Sequence, residues 1–246
     1  MADRHYKKMI ENFQKNAPYW SLYKELATGK DGKVFEANGK NGESAVVKFF
    51  KVRKSVKKVK KEMELQRECA AKGLAPKIYE TPVFNQNNCY IVMERYNSTL
   101  LDHSKKRVIG IALMRKIVKL YKELGKLGIS HNDSNVGRNI MIHNRNPYLV
   151  DFGFAKKFEN DKKLLELVGP NPNYSLFPRL FFITKNEKAK EYLRDVIDKY
   201  EKKYGVIIDH AYHAQKRTQE RLKQYTEKLY GPMTEKNLHN DIEYGL

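Results

Sequence analysis

The chain has little cysteine, a single tryptophan and no long apolar run. Its 246 residues include two cysteines, Cys69 and Cys89, each alone in a segment that reads as a helix or a strand. Neither a disulfide framework nor a metal-ligand spacing can be built from them, so a reducing intracellular, cytoplasmic setting is expected. No apolar stretch approaches the roughly 20 residues of a membrane-spanning helix, and Met-Ala-Asp-Arg-His at the start shows no signal-peptide pattern. A soluble protein is expected. Internal repeats and low-complexity segments are absent apart from one lysine-rich stretch.

Acidic residues are the other shortage, 29 against 48 lysines and arginines, for a formal charge of +19. Such an excess attracts polyanions, whether nucleic acid, acidic protein segments, anionic membrane or polyphosphate, without choosing among them. Much of it lies from Lys48 to Lys61, where Lys51, Arg53, Lys54, Lys57, Lys58, Lys60 and Lys61 crowd a helix start. Two readings stay open there, a solvated helix face and a dedicated anion-binding surface.

At 41% hydrophobic, the chain can bury a sizeable core as one domain or two small lobes. Tyr6, Met9, Ile10 and Phe13 recur at helical spacing and predict an N-terminal packing helix that ends before Pro18. Three strands follow, Tyr19 to Thr28, around Val34, and Ala45 to Phe50, separated by a Gly29 to Gly32 turn and an Asn38 to Gly42 turn. Gly29 and Gly32 suit a close approach of backbone amides to phosphate, but a plain hairpin turn needs them too.

Lys48 inside an apolar strand is costly to bury unless paired, and the following helix offers Glu62, Glu64 and Glu68. The other reading is a strand-end lysine that snorkels into solvent. Leu65, Cys69 and Ala70 or Ala71 form the expected buried face of that helix, which Gly73 ends. Two more strands, Lys77 to Phe84 and Cys89 to Glu94, are joined by an Asn85 to Asn88 turn and complete a sheet of about five. After the polar connector at Tyr96 the pattern changes to a helix from Val108 to Leu127. A mostly β part thus meets a mostly helical part near residue 96, and a cleft between them is the natural ligand site.

The densest chemistry comes next. Gly128-Ile-Ser-His131-Asn-Asp133 runs to Asn139, and Tyr148-Leu-Val-Asp151-Phe152-Gly153 follows closely. Two acidic residues and an amide, each beside an apolar run, read as two loops flanking a small hairpin, an arrangement suited to Mg-ATP.

Taken in order, these segments resemble the eukaryotic-type protein kinase superfamily from about residue 20 to 155. Leu26-Ala27-Thr-Gly29-Lys-Asp-Gly32-Lys-Val34 resembles the Gly-rich loop, with Ala27 in place of its first glycine. Ala45-Val-Val-Lys48 resembles the strand with the ATP-binding lysine, and Glu62 is its expected partner. Ile91-Val-Met93-Glu94-Arg-Tyr96 resembles the gatekeeper and hinge, where backbone groups of Glu94 and Tyr96 meet adenine. His131-Asn-Asp133, Asn139 and Asp151-Phe-Gly resemble the catalytic loop, the metal-binding asparagine and the metal-binding aspartate. The resemblance implies a two-lobed α+β fold, with a small antiparallel β-sheet lobe carrying one main helix and a reduced, mostly helical second lobe. It divides the chain into an extension at 1–18 and lobes at 19–96 and 97–246. It also implies ATP with Mg²⁺ or Mn²⁺, catalysis by Asp133 and Lys48, metal binding by Asn139 and Asp151, and a protein substrate. His131 is read as a structural histidine under the loop.

The departures matter equally. Asn132 stands where regulated protein kinases carry an arginine that grips a phosphorylated activation loop, so activation through that grip is not expected. The loop from Asp133 to Asn139 is one residue longer than the usual pattern, Asn135 replaces a lysine, and Arg138 is a candidate for the missing charge. Ala-Pro-Glu and Asp-x-Trp-x-x-Gly motifs are absent, and the sole tryptophan is Trp20. Phe158 to Val168 reads as a short helix, Gly169 to Pro178 as a rigid proline-rich loop, and Asn186 to Tyr204 and Val206 to Leu229 as amphipathic helices. Tyr192, Leu193, Val196, Ile197 and Tyr200 are expected to pack inward.

Such a reduced lobe is similar to those of compact kinases of large DNA viruses, bacterial effectors and RIO-like families. The expected activity is transfer of phosphate from Mg-ATP to a protein serine or threonine, with an acidic or nucleic-acid-associated substrate suited to the charge. The rival readings are a small-molecule kinase of the aminoglycoside type and a catalytically silent binding protein that uses its basic surface. Oligomeric state is left open.

Overall fold

The computed structural model describes residues 2–29, 32–51, 54–80 and 89–230, with side chains between residues 6 and 224. Helix α1 (Ala2–Asn16) precedes an antiparallel meander of β1 (Trp20–Thr28), β2 (Gly32–Gly39) and β3 (Ser44–Phe50). Helix α2 (Val56–Ala71), β4 (Ile78–Glu80) and β5 (Tyr90–Glu94) follow, and the five strands form one sheet in the order β1-β2-β3-β5-β4. The expected Asn85 to Asn88 turn lies outside the described residues.

Strand β3 is apolar almost throughout because both of its faces are covered. Antiparallel sheets commonly leave one face in water and alternate accordingly. Here Ala45, Val47 and Phe49 join Met9 and Phe13 of α1 in one buried layer, with Tyr90 and Val92 from β5. Phe50, on the opposite face, packs with Val59 and Met63 of α2 and with Ile91 and Met93. Phe13 sits at the middle of the α1 layer, its ring edge-on to Phe49 at 5.5 Å and to Tyr90 at 4.8 Å. Edge-to-face geometry adds to the large area such rings bury.

Helix α2 starts against the helix dipole. Its first turn has no acidic residue, and Lys57, Lys58, Lys60 and Lys61 are exposed, where the positive helix end disfavours cations. Packing therefore has to hold it. Val59, Glu62, Met63, Leu65, Gln66 and Cys69 are buried, a wider face than the expected Leu65, Cys69 and Ala70 or Ala71; Ala71 is exposed. Gly73, at φ 68°, turns the chain away after the helix.

The chain from the expected polar connector, Tyr96-Asn-Ser, onward, where no element is expected before Val108, is structured. It holds strand β6 (Ser98–Thr99) and helix α3 (Leu100–Lys106), and the Thr99 hydroxyl accepts the Asp102 N–H at 3.0 Å. Seven residues are too few for helical periodicity to register in a sequence. Helix α4 (Ile111–Lys126) buries Met114, Ile117, Val118, Leu120, Tyr121 and Leu124 and delivers the chain to β7 (Ile129–Ser130), the helical turn α5 (Val136–Asn139), and the hairpin of β8 (Ile140–His143) and β9 (Asn146–Leu149). That hairpin pairs with β6, and β10 (Lys156–Lys157) pairs with β7.

Helix α6 (Lys162–Val168) follows, and then the proline-rich loop, which forms a 3-10 turn (Pro172–Leu176) leading into α7 (Pro178–Phe181). Helix α8 (Glu187–Tyr204) is capped by Asn186, whose side chain accepts the Ala189 N–H at 2.9 Å, and is ended by left-handed Gly205. Leu193, Ile197 and Tyr200 are buried as expected, while Tyr192 and Val196 are half-buried. The result is an α+β architecture of two lobes, one a small antiparallel sheet with α2 and one mostly helical. Residues 207–246 form a separate unit whose described helix is α9 (His210–Tyr230). Among the described residues, no helix is long and apolar enough to cross a membrane.

Candidate active site

Cross-strand register brings the first set of expected residues together. Ala27 lies opposite Val34, Val34 opposite Lys48, and Lys48 opposite Ile91. Direct cross-strand partners share a face, so Ala27, Val34 and Lys48 form one row on the side of the sheet that α2 covers. Gly29 N–H donates to the Gly32 carbonyl at 2.8 Å and closes the turn; Lys30 and Asp31, at its tip, lie outside the described residues. Gly32 has a reason of its own to be glycine. A Cβ there would lie 2.0 Å from the Phe49 carbonyl oxygen, so the close approach of β2 to β3 requires it.

Lys48 is buried and bridges two carboxylates. Its ammonium donates to Glu62 Oε1 at 2.6 Å and to Asp151 Oδ1 at 2.9 Å. Among the three candidate partners, Glu64 is exposed and Glu68 pairs instead with Lys157 at 2.5 Å. Burial by itself pulls the Lys48 ammonium down, but Glu62 and then Asp151 more than reverse this and raise it above the ordinary lysine value. Burial likewise pushes the Asp151 carboxyl up, and Lys48, with a smaller contribution from Lys54, holds it below the ordinary carboxylate value. Both groups are charged at neutral pH.

The lower half of the site hangs from α4 and the β8–β9 hairpin. Asp133 is half-buried, and its Oδ1 accepts the Asn135 N–H at 2.9 Å. The extra residue before Asn139 is absorbed by α5, where the Arg138 and Asn139 N–H groups both donate to the Asn135 carbonyl at 3.0 Å. Arg138 is exposed on that turn. Asn139 is tied to the strand before Asp151, since its carbonyl accepts the Val150 N–H at 2.9 Å. Asp151 itself has φ 61°, a left-handed backbone uncommon outside glycine, although Asp and Asn enter it more readily than most residues.

His131 is fully buried, with Nε2 3.0 Å from the Val150 carbonyl and its ring 5.3 Å from Phe152. Burial pushes its imidazole below the ordinary value. It tethers the segment ahead of Asp133 to the segment ahead of Asp151. Asn132, at φ 60°, accepts the Ser130 hydroxyl at 2.7 Å and donates to the Phe154 carbonyl at 3.2 Å. An internal amide thus joins the segment ahead of Asp133 to the segment after Gly153.

At the expected hinge, Met93 is buried and its sulfur accepts from Gln66 Nε2 at 3.3 Å. The Glu94 carboxylate accepts the Tyr96 hydroxyl at 3.1 Å, and the Tyr96 ring stacks on His143 at 4.5 Å and packs on Tyr148 at 4.5 Å. The side chain of Tyr96 therefore anchors the connection to the β8–β9 hairpin.

One residue that sequence reasoning missed is central. Asn173 is fully buried; its Oδ1 accepts the His131 N–H at 3.0 Å and its Nδ2 donates to the Ile129 carbonyl at 2.8 Å. It grips the backbone on both sides of Ser130, where the segment leading to Asp133 begins. Its only signal in the sequence was an asparagine between prolines and aromatics, which a loop reading absorbs.

Asp151 and Asn139 are hard oxygen donors, the Asn139 carbonyl bonding the residue just before Asp151, and among the described residues the buried Asn139 Nδ2 has no hydrogen-bond partner. Among the described residues, no group of three or more His, Cys, Asp or Glu is arranged to hold a metal ion. A divalent cation held by this pair would draw its other ligands from phosphate oxygens and water, as Mg²⁺ does. The residues present fit Mg-ATP. Residues 20–228 of the chain match the model of the protein kinase domain. No curated protein matches the chain.

Proposed function

The chain belongs to the protein kinase family, and from that premise we propose that it moves the γ-phosphate of ATP, with Mg²⁺ or Mn²⁺, to a serine or threonine hydroxyl of a protein. The observation that carries this reading is the buried Lys48, paired to Glu62 at 2.6 Å and in contact with Asp151 at 2.9 Å. A lysine is costly to bury, and two carboxylates around it make sense where it must later meet phosphate oxygens.

In this reading Lys48 neutralises the α- and β-phosphates, and Glu62 keeps its ammonium in place. Asp151 and Asn139 hold the cation. When bound, the metal would supply positive charge against the charge that develops on the transferred group. Asp133 aligns the acceptor hydroxyl and takes its proton at a carboxylate oxygen. His131 stays neutral in its buried seat and fixes Val150 beside Asp151. Ala27, Gly29, Gly32 and Val34 cover the nucleotide from the strand side, while Met93, Glu94 and Tyr96 border the adenine. An acidic or nucleic-acid-associated protein is the acceptor that the +19 charge favours, since encounter rates rise with opposite charge.

The test is transfer of label from γ-labelled ATP and Mg²⁺ to acidic and basic acceptor proteins. Labelled phosphoserine or phosphothreonine, lost in both Asp133→Ala and Asp151→Ala, is the expected result. Label found only on a small molecule, or no nucleotide binding at all, contradicts the reading.

A further inference from the structure

Lys54 belongs by sequence to the lysine-rich run that reads as a solvated face or an anion-binding surface. Its neighbours Lys51, Lys57, Lys58, Lys60 and Lys61 are exposed, but the Lys54 side chain retains only 11% exposure and turns inward from the link between β3 and α2. Its ammonium donates to Glu62 Oε2 at 2.5 Å, while Lys48 takes Oε1 of the same carboxylate at 2.6 Å. One buried carboxylate thus serves two lysines, one oxygen each.

Both ammonium groups also lie over the buried Phe50 ring, Lys48 at 5.0 Å and Lys54 at 4.9 Å from its centroid, where a cation is attracted by the ring face. Gly153 closes the cluster. A Cβ there would come within 3.2 Å of Lys54 Nζ, 3.3 Å of Glu62 Oε2 and 3.4 Å of Asp151 Oδ1. Two lysines and two carboxylates leave the cluster neutral. Without Lys54 a single lysine would face both Glu62 and Asp151, and a buried excess charge is expensive.

We infer that Lys54 is a second positioning lysine of the phosphotransfer site: it occupies Glu62 Oε2, so that Glu62 holds Lys48 through Oε1 only and the Lys48 ammonium stays free to turn toward phosphate. It also ties the β3–α2 link to the inner edge of α2, so the Lys48–Glu62 pair is assembled before nucleotide arrives. Lys54 touches neither nucleotide nor acceptor and acts through Glu62. The inference rests on the phosphotransferase reading of the site.

Calorimetric titration of a non-hydrolysable ATP analogue with Mg²⁺ tests it in wild type, Lys54→Met, Lys54→Arg, Glu62→Gln and the Lys54→Met/Glu62→Gln double variant. Outer partners of ligand-holding groups are typically worth about tenfold or more, so Lys54→Met is expected to bind about tenfold more weakly. Lys54→Arg should stay within about twofold, since the guanidinium keeps the charge and the donor. In the Glu62→Gln background, Lys54→Met should have no further effect, which a merely structural role would not produce. Wild-type affinity in Lys54→Met, or equal losses with and without Glu62, overturns the inference. A wild type that binds no analogue overturns the phosphotransferase reading, and this inference with it.

Discussion

Replacing Asn173 with alanine should damage transfer while sparing nucleotide binding. The side chain satisfies the His131 N–H at 3.0 Å and the Ile129 carbonyl at 2.8 Å, and both residues are fully buried. Alanine leaves that donor and that acceptor without partners. Each orphaned buried group costs about 1–3 kcal/mol, so the variant loses about 2–6 kcal/mol. For a chain of this size about 1 kcal/mol moves the melting point by about 2–4 °C, which predicts a fall of at least about 4 °C. Aspartate is no remedy, because it keeps the acceptor for His131 but loses the donor to Ile129 and buries an unpaired charge.

The functional consequence follows from where the grip lies. It holds the backbone two residues before Asp133 and touches none of Lys48, Glu62 or strands β1 to β3. Steady-state transfer measured well below both melting points should therefore show a reduced kcat with the KM for ATP unchanged. Melting within 1 °C of wild type, or a raised KM for ATP with kcat intact, would refute the reasoning.

Three further outcomes are expected. Phe13→Ala removes a fully buried ring that packs on Phe49 and Tyr90 and should cost about 3–5 kcal/mol in urea unfolding; a loss under 1 kcal/mol would mean that α1 does not seal the sheet. Burial holds the folded His131 below the unfolded value of 6.5, so the unfolded chain binds the extra proton. Its stabilisation is complete above 6.5 and is lost as pH falls toward the folded value, by up to about 1.4 kcal/mol per pH unit. His131→Gln should flatten that part of the unfolding profile between pH 6.5 and 5.5, and identical slopes would count against it. Because the Asn132 amide, and not an arginine, reaches the Phe154 carbonyl at 3.2 Å, phosphatase-treated protein should transfer phosphate as fast as untreated protein; a large loss would point to a phosphate-dependent loop.

Much of this architecture was legible because it is local. The glycine turns, the apolar strands and the order of Lys48, Asp133, Asn139 and Asp151 are short-range patterns with short-range causes. The apolar character of β3, broken only by Ser44 and Lys48, also carried information, since an antiparallel strand lacks polar alternation when a second layer, here α1, covers its other face. What the sequence hid depends on contacts between distant segments. Asn173 meets His131 across 42 positions, and no spacing rule announces such a pair. Lys54 looks like its exposed neighbours, yet its ammonium reaches the buried Glu62 carboxylate. Gly32, read as a phosphate-loop glycine, is also dictated by the Phe49 carbonyl on the next strand, and helix α3 is too short to have a period.

In the proposed reaction Asp133 performs the proton step in a site that Lys48, Glu62 and Asp151 prepare for nucleotide. Single-turnover transfer from Mg-ATP by wild type and Asp133→Asn, with nucleotide affinity measured in parallel, tests it most directly. Unchanged affinity and transfer slower by about 10²–10⁴-fold, the usual worth of a positioned general base, are expected. Equal transfer rates at equal affinity would contradict it.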